Sequence, residues 1–267
     1  MANVAVAGAA GRMGVRIINL ISQNDALLLA GALERPGHPR LGEDAGLVAG
    51  LGQTGVVISS SLEDVIDRAD VLIDFTEAGA TVQNARIVSS LNKSMVIGTT
   101  GITGEMRIEI EALCQDMRCV MAPNMSVGVN VMFKIAGEMA RILGNDYDLE
   151  VIEAHHRFKK DAPSGTAVHL GRLLSEAVGR DFDEVAVFER NGITGQRSER
   201  EIGLQSVRAG DITGDHTVIF GGIGERLELI HRAHNRDNFA KGALRAAEWV
   251  VSQPNGLYSM QDVLGLK

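Results

Sequence analysis

Cysteine, proline and aromatic side chains are all scarce in this 267-residue chain. The two cysteines, Cys114 and Cys119, are too few for a structural zinc site and form no disulfide framework. They read as buried thiols of a reducing compartment, since a free cysteine behaves as a small apolar residue, and no metal is expected. Aromatics make up 4% of residues while 45% are hydrophobic, so the core must be largely aliphatic. That suits an α/β protein with buried strands of Val, Ile, Leu and Ala. No run approaches the ~20 apolar residues that a membrane helix needs. The first residues show no basic leader and no cleavage site. The expectation is a cytoplasmic protein with no membrane partner. Positive charge is also in deficit, with a formal net charge of −8. Such a field disfavours nucleic acid as a partner, and a small anionic ligand would need a local basic cluster.

What is present is an alternation of short apolar runs and amphipathic stretches. Val4–Ala7, Leu27–Leu33, Val56–Ile58, Val71–Phe75, Met95–Ile97 and Cys119–Ala122 read as strands. Met13–Ile21, Ala78–Leu91 and Glu105–Cys114 read as the helices between them, and Ser60-Ser61-Leu62-Glu63 as a capping box opening a short one. This spacing predicts right-handed crossovers and a parallel sheet. The pattern changes after about residue 125. A long helix is expected over Val127–Leu143, a strand over Leu149–His155 and a helix over Ala167–Val178. Strands follow at Val185–Phe188, Leu204–Arg208, Thr217–Phe220 and Arg226–Arg232, then a last helix at Phe239–Val251. Strands without intervening helices predict a mixed or antiparallel sheet in a second domain. The expected division is 1–126 plus 236–267 for the first domain and 127–235 for the second.

Gly8-Ala9-Ala10-Gly11-Arg12-Met13-Gly14 lies directly between the first strand and the first helix. In that context glycines let the backbone approach a pyrophosphate, and the helix N-terminus offers free N–H groups and a positive dipole end. The spacing is GxxGxxG, which alone also suits a structural turn. Glu34, twenty residues past Gly14, adds support because it can accept hydrogen bonds from an adenosine ribose. Glu34 favours NADH, whereas Arg35, with Arg12, can bind the 2′-phosphate of NADPH. Arg35 is equally open to a reading as a solvated surface charge. Gly98-Thr99-Thr100 and Ala122-Pro123-Asn124-Met125 follow two further strands. Beyond the carboxyl ends of parallel strands they are candidates to hold the nicotinamide ring, with ordinary turn chemistry as the alternative.

Five of the six residues from His155 to Lys160 are basic, an isolated positive cluster in an acidic chain. Ser164-Gly165-Thr166 follows at a predicted helix start, where backbone N–H groups form an anion site. A pocket for a small, multiply charged anion is therefore expected here, rather than a solvated charged face. His155 is suited to proton transfer near neutral pH. Lys159, crowded by neighbouring cations, is a second acid. If the strand continued, His156 would point away from His155, leaving one imidazole for chemistry and the other for holding substrate.

The stretch Glu153-Ala154-His155-His156-x-x-Lys159-x-Asp161-Ala162-Pro163-Ser164-Gly165-Thr166-Ala167 resembles the signature of the 4-hydroxy-tetrahydrodipicolinate reductases, also called dihydrodipicolinate reductases. Gly11-Arg12-Met13-Gly14, Asp74-Phe75-Thr76, Gly98-Thr99-Thr100-Gly101, Asn124 to Asn130 and Arg208-Ala209-Gly210-Asp211 resemble other segments of that family. The resemblance implies a Rossmann-like domain for NADH or NADPH, with an inserted α+β domain on a mixed sheet for substrate binding and homotetramer assembly. It implies His155 as proton donor or acceptor and Lys159 as proton donor. His156, Ser164, Gly165 and Thr166 would bind substrate carboxylates. Gly8, Ala9, Ala10, Gly11, Arg12, Met13, Glu34, Arg35, Gly98, Thr99, Thr100, Ala122, Pro123, Asn124 and Met125 would hold cofactor. The implied reaction is reduction of a cyclic imine dicarboxylate with loss of water. A dinucleotide-sensing protein is the rival from another class, but it has no use for two histidines and a lysine before an anion site.

Overall fold

The computed structural model describes residues 1–267. In chain order it runs β1 (Ala2–Ala7), α1 (Arg12–Ile21), β2 (Leu27–Leu33), α2 (Ala45–Val48), β3 (Ile58–Ser59), α3 (Leu62–Ile66), β4 (Val71–Asp74), α4 (Ala78–Ser90), β5 (Ser94–Ile97), α5 (Gly104–Leu113) and β6 (Arg118–Met121). Next come α6 (Val127–Leu143), β7 (Asp148–His155), α7 (Gly165–Ala177), α8 (Phe182–Val185), β8 (Ala186–Val187), β9 (Ile202–Arg208), β10 (Gly214–Gly221) and β11 (Arg226–Ala233). The chain closes with α9 (Asp237–Val250), β12 (Gly256–Tyr258) and α10 (Met260–Leu264). It divides into two compact units, Met1–Val127 with Arg236–Lys267, and Gly128–Asn235. No helix is long and apolar enough to cross a membrane.

In the first unit seven strands lie in the order β12-β6-β5-β4-β1-β2-β3, every neighbouring pair parallel. Both faces are covered, which is why the strands read as continuous apolar runs. Val4, Val6, Ile73, Val96 and Val120 face α1, α9 and α10 on one side. Ala5, Ala7, Leu72, Met95, Ile97 and Cys119 face α3, α4 and α5 on the other. The strand order reverses between β1 and β4, the switch point of a Rossmann-like sheet, where ligands bind beyond the carboxyl ends.

The second unit has a mixed sheet in the order β11-β10-β7-β9-β8. β10 is antiparallel to both neighbours, whereas β7, β9 and β8 are parallel to one another. One face packs on α6 through Met132, Phe133 and Ala136 and on α7 through Leu170 and Leu174. The opposite face carries Ile152, Val207 and Ile230, exposed by 37%, 45% and 46%.

Several expectations need adjustment. The third strand begins at Ile58, because Asp44 ties down the preceding chain by accepting the Thr54 and Gly55 amides at 3.1 and 2.7 Å. The cap of α3 is Ser61, whose hydroxyl accepts the Asp64 amide at 3.3 Å, so no Ser60–Glu63 box forms. A reciprocal box does occur at Ser259 and Asp262. Val185 ends α8 and is no part of a strand. The closing β12 and α10 were not expected from their short, weakly patterned sequences.

Candidate active site

In the first unit, every strand end expected to hold cofactor lies at the same edge of the parallel sheet. Gly8 follows β1 with φ of +67°, a backbone region that favours glycine. Its carbonyl accepts the Gly11 amide at 2.9 Å, and Gly11 caps α1 without a side chain. Gly14 is required by close packing, since a Cβ there would lie 2.1 Å from the Gly8 carbonyl oxygen. The result is a side-chain-free cradle at a helix N-terminus, which fits a dinucleotide pyrophosphate.

Glu34, just past β2, is buried, and its two oxygens accept the Ala10 and Arg35 amides at 3.0 and 3.2 Å. It thus pins the glycine loop, while each carboxylate oxygen keeps a second lone pair for a ribose hydroxyl. Arg12 and Arg35 are exposed beside it.

Thr99 and Met125 turn inward, contrary to a side-chain role toward cofactor. The Thr99 hydroxyl lies 2.8 Å from that of Thr81 and 3.2 Å from the buried Asp74 carboxylate. Met125 is 1% exposed and belongs to the core. Only the backbone of these two residues remains for a ligand. Gly98 is needed because the Phe75 ring would lie 2.2 Å from a Cβ there. Thr100, Pro123 and Asn124 stay at least partly exposed, and Ala122 is buried, its amide bonded to the Ile97 carbonyl at 3.2 Å.

In the second unit, the two-residue period of the strands gathers the chemistry on the helix-covered face. Leu149, Val151, Glu153 and His155 share that face of β7. Register pairs Glu153 with Ser206 of β9 and His216 of β10, and His155 with Arg208. The Glu153 carboxylate, 1% exposed, lies 2.6 Å from His155 Nδ1. It also accepts two bonds from the Arg208 guanidinium, at 2.7 and 2.8 Å, and the Ser164 amide at 3.1 Å. Burial pushes the Glu153 carboxyl up, but the bonds from His155, Arg208 and Ser206 outweigh it and hold the group well below the usual carboxylate range. His216 packs edge-on to His155 with ring centres 5.2 Å apart. Burial, reinforced by the nearby His155, lowers the His216 imidazole to about 3, so it is neutral.

Strand β7 ends at His155, so the strand alternation expected for His156 does not apply. His156 Nδ1 is buried without a partner, as are Arg208 Nε and His216 Nδ1. Buried polar atoms are normally satisfied, and these three have no hydrogen-bond partner within the protein.

Two expectations about the basic cluster change. Lys159, expected to be crowded by cations, has an anionic partner, the Asp161 carboxylate at 2.9 Å. Ser164 is the cap of α7: its hydroxyl accepts the Ala167 amide and contacts His216 Nε2, each at 3.2 Å. Its amide is given to Glu153, so Ser164 serves the protein, and Gly165 and Thr166 form the first turn of α7. Sequence reasoning gave no role to Glu153, Arg208 or His216. The one local signal was Glu153 standing two residues before His155, hence on the same strand face. Nothing local joins Glu153 to Arg208, 55 residues away.

Known proteins share this sequence pattern and fold. The family described as dihydrodipicolinate reductase, N-terminus, matches residues 2–125, and its C-terminus counterpart matches residues 128–264. The chain is 55% identical to the 4-hydroxy-tetrahydrodipicolinate reductase of Geotalea uraniireducens and 56% identical to that of Pelobacter propionicus, over 100% of all chains. Among solved structures, the dipicolinate-bound dihydrodipicolinate reductase of Paenisporosarcina sp. TG-14 superposes with a TM-score of 0.77 at 25% identity, covering 98% of each chain. A Rossmann-like sheet with a glycine cradle, a mixed-sheet unit presenting a histidine–glutamate pair, and full-length similarity lead to one statement: this chain belongs to the dihydrodipicolinate reductase family.

Proposed function

We propose that this protein reduces 4-hydroxy-tetrahydrodipicolinate to tetrahydrodipicolinate with loss of water, using NADH or NADPH, in lysine and diaminopimelate biosynthesis. The observation that carries the reading is the His155–Glu153 pair at the end of β7, close in sequence to Lys159 and to the N-terminus of α7. The relative solved with dipicolinate bound supports a small dicarboxylate as the substrate class.

Gly8 through Met13 and Glu34 hold the dinucleotide, with Gly98, Thr99, Thr100 and Ala122 through Met125 at its nicotinamide end. Bound there, the reduced nicotinamide supplies the hydride. His156, Gly165 and Thr166 take the substrate carboxylates and orient the ring. His155 and Lys159 manage the protons, and their positive charge stabilises the electron-rich ring that hydride addition creates. Glu34 suits the free ribose of NADH and Arg35 the phosphate of NADPH, so both cofactors are used. Four copies assemble through the open face of the second sheet, where Ile152, Val207 and Ile230 are exposed. The protein works in the cytoplasm.

The test is a coupled assay in which substrate forms in situ from pyruvate and aspartate semialdehyde while NADH or NADPH absorbance is followed. Oxidation that requires both precursors is expected. A folded protein that consumes neither cofactor refutes the reading. Lys159→Ala should lower turnover by ~10²–10⁴-fold with cofactor binding unchanged. Light scattering at the mass of four chains is the outcome for assembly, and a monomer rejects it.

A further inference from the structure

We propose that Glu153 is a positioning residue that holds His155 in a single tautomer, with its proton on Nδ1 and its reactive lone pair on Nε2. This rests on the acid–base role given to His155 above. Besides the Ser206 bond noted above, four bonds that end on the carboxylate decide the matter. One oxygen takes His155 Nδ1 at 2.6 Å and an Arg208 nitrogen at 2.8 Å. The other takes the second Arg208 nitrogen at 2.7 Å and the Ser164 amide at 3.1 Å. Three of these donors, the guanidinium nitrogens and the amide, are donors only. They keep the carboxylate ionised in spite of its burial, and an ionised carboxylate can only accept. The imidazole nitrogen beside it must therefore carry hydrogen.

The consequence falls on the other side of the ring. With Nδ1 committed, only Nε2 can give or take a proton during turnover. Nε2 lies above Gly214, where a Cβ would come within 3.1 Å of it. The absent side chain leaves that edge of the ring free. Gly214 has no positive φ, so close approach explains the glycine better than backbone geometry does.

The groups around the imidazole act together. Arg208 shares the Glu153 carboxylate, so the negative charge is not spent wholly on the imidazolium. His216 on β10 packs against the ring but stays neutral and adds no competing cation. His231 is the register partner of His216 on β11. Lys159, in the loop beyond β7, is paired with the exposed Asp161. Glu153 touches neither substrate nor cofactor in this scheme; it works through His155.

The rival reading makes Glu153 and Arg208 a strand clamp between β7 and β9 with no bearing on the ring. Nitrogen-15 NMR of labelled histidine in the full-length protein, in mildly alkaline buffer, separates the two. The wild-type protein should show His155 protonated at Nδ1 and bare at Nε2. A wild-type Nε2–H tautomer overturns the proposal, whatever happens to any variant. Glu153→Gln keeps the volume but replaces one acceptor with a donor, so part of the His155 population should move its proton to Nε2. With it, kcat should fall ~10²–10⁴-fold with a smaller change in KM. An unchanged tautomer and kcat in the folded variant also overturns it. Gly214→Ala should keep the tautomer and lower kcat by crowding Nε2; unaltered kcat removes Nε2 from the chemistry. The NMR signal needs no turnover. A protein with this tautomer but no reductase activity would sink the reaction and keep the arrangement, and an active protein with the other tautomer would do the reverse.

Discussion

Gly242, in the second turn of α9, lies against the Met125 carbonyl oxygen so closely that a Cβ would be only 1.7 Å away. Helix and loop therefore meet backbone to backbone. The Ala122–Met125 loop, proposed to face the nicotinamide, owes its position to a residue more than a hundred positions later. Gly242→Ala should push α9 off the loop, destabilise the protein by about 1–3 kcal/mol as overpacking does, and weaken NADH binding. Urea unfolding and cofactor titration check both effects.

Asp74 is fully buried, yet no cation balances it. Its oxygens accept the Thr76 amide at 2.9 Å, the Thr76, Thr81 and Thr99 hydroxyls at 2.6, 3.1 and 3.2 Å, and the Asn84 amide at 2.8 Å. Asp74→Ala strands these donors, each worth about 1–3 kcal/mol when left buried and unpaired. A large loss of stability is expected in denaturant unfolding. The milder Thr99→Val should loosen the Gly98–Thr100 turn and raise the Kd for cofactor.

The exposed Arg35 stands next to the buried Glu34. Arg35→Ala should weaken NADPH more than NADH, because only the former carries a phosphate for the guanidinium to bind. Equal losses for the two cofactors reject the assignment.

His216 gives a pH dependence with a definite sign. In the unfolded chain its imidazole takes up a proton near the ordinary value of 6.5, and in the folded protein only near 3. Between those values the unfolded state binds the extra proton, so stability drops as the pH falls, by at most about 1.4 kcal/mol per pH unit for one group. Above 6.5 the contribution is complete. Burial lowers His169 and His231 in the same direction. Glu153 adds to the loss only below its ordinary value of 4.5, where the unfolded chain begins to protonate it. His216→Asn should make the stability profile shallower from pH 6.5 down to about 3, measured by urea titration, leaving the slope that His169, His231 and, below 4.5, Glu153 contribute.

The parallel sheet was legible because both faces of its strands are buried, so Val4–Ala7 and Val71–Ile73 read as unbroken apolar runs. Gly8, Gly11 and Gly14 stood out because their spacing matches a turn entering a helix. The start of α7 was legible to within two residues, expected at Ala167 and found at Gly165 behind the cap Ser164. What stayed hidden depends on pairing across strands. Glu153 looks like any polar residue in β7 until register brings Arg208 beside His155 and His216 beside Glu153. The inward turn of the Thr99 hydroxyl was not legible because its partner, Asp74, sits on a neighbouring strand 25 residues earlier. The cap of α3 moved by one residue because Ser60 and Ser61 offer the same hydroxyl, and only backbone geometry chooses between them.

The chain leaves its first unit at Val127 and returns at Arg236. The seats of Ala240, Ala243, Ala246, Ala247 and Val250, all buried to 0% exposure, stay empty until that return. A ribosome must therefore synthesise the whole insertion while one face of the nascent sheet is covered by α1 but not yet by α9 or α10. A chain stopped short of α9 would give a sticky, half-clad intermediate, so the first unit is finished only by residues made after the insertion.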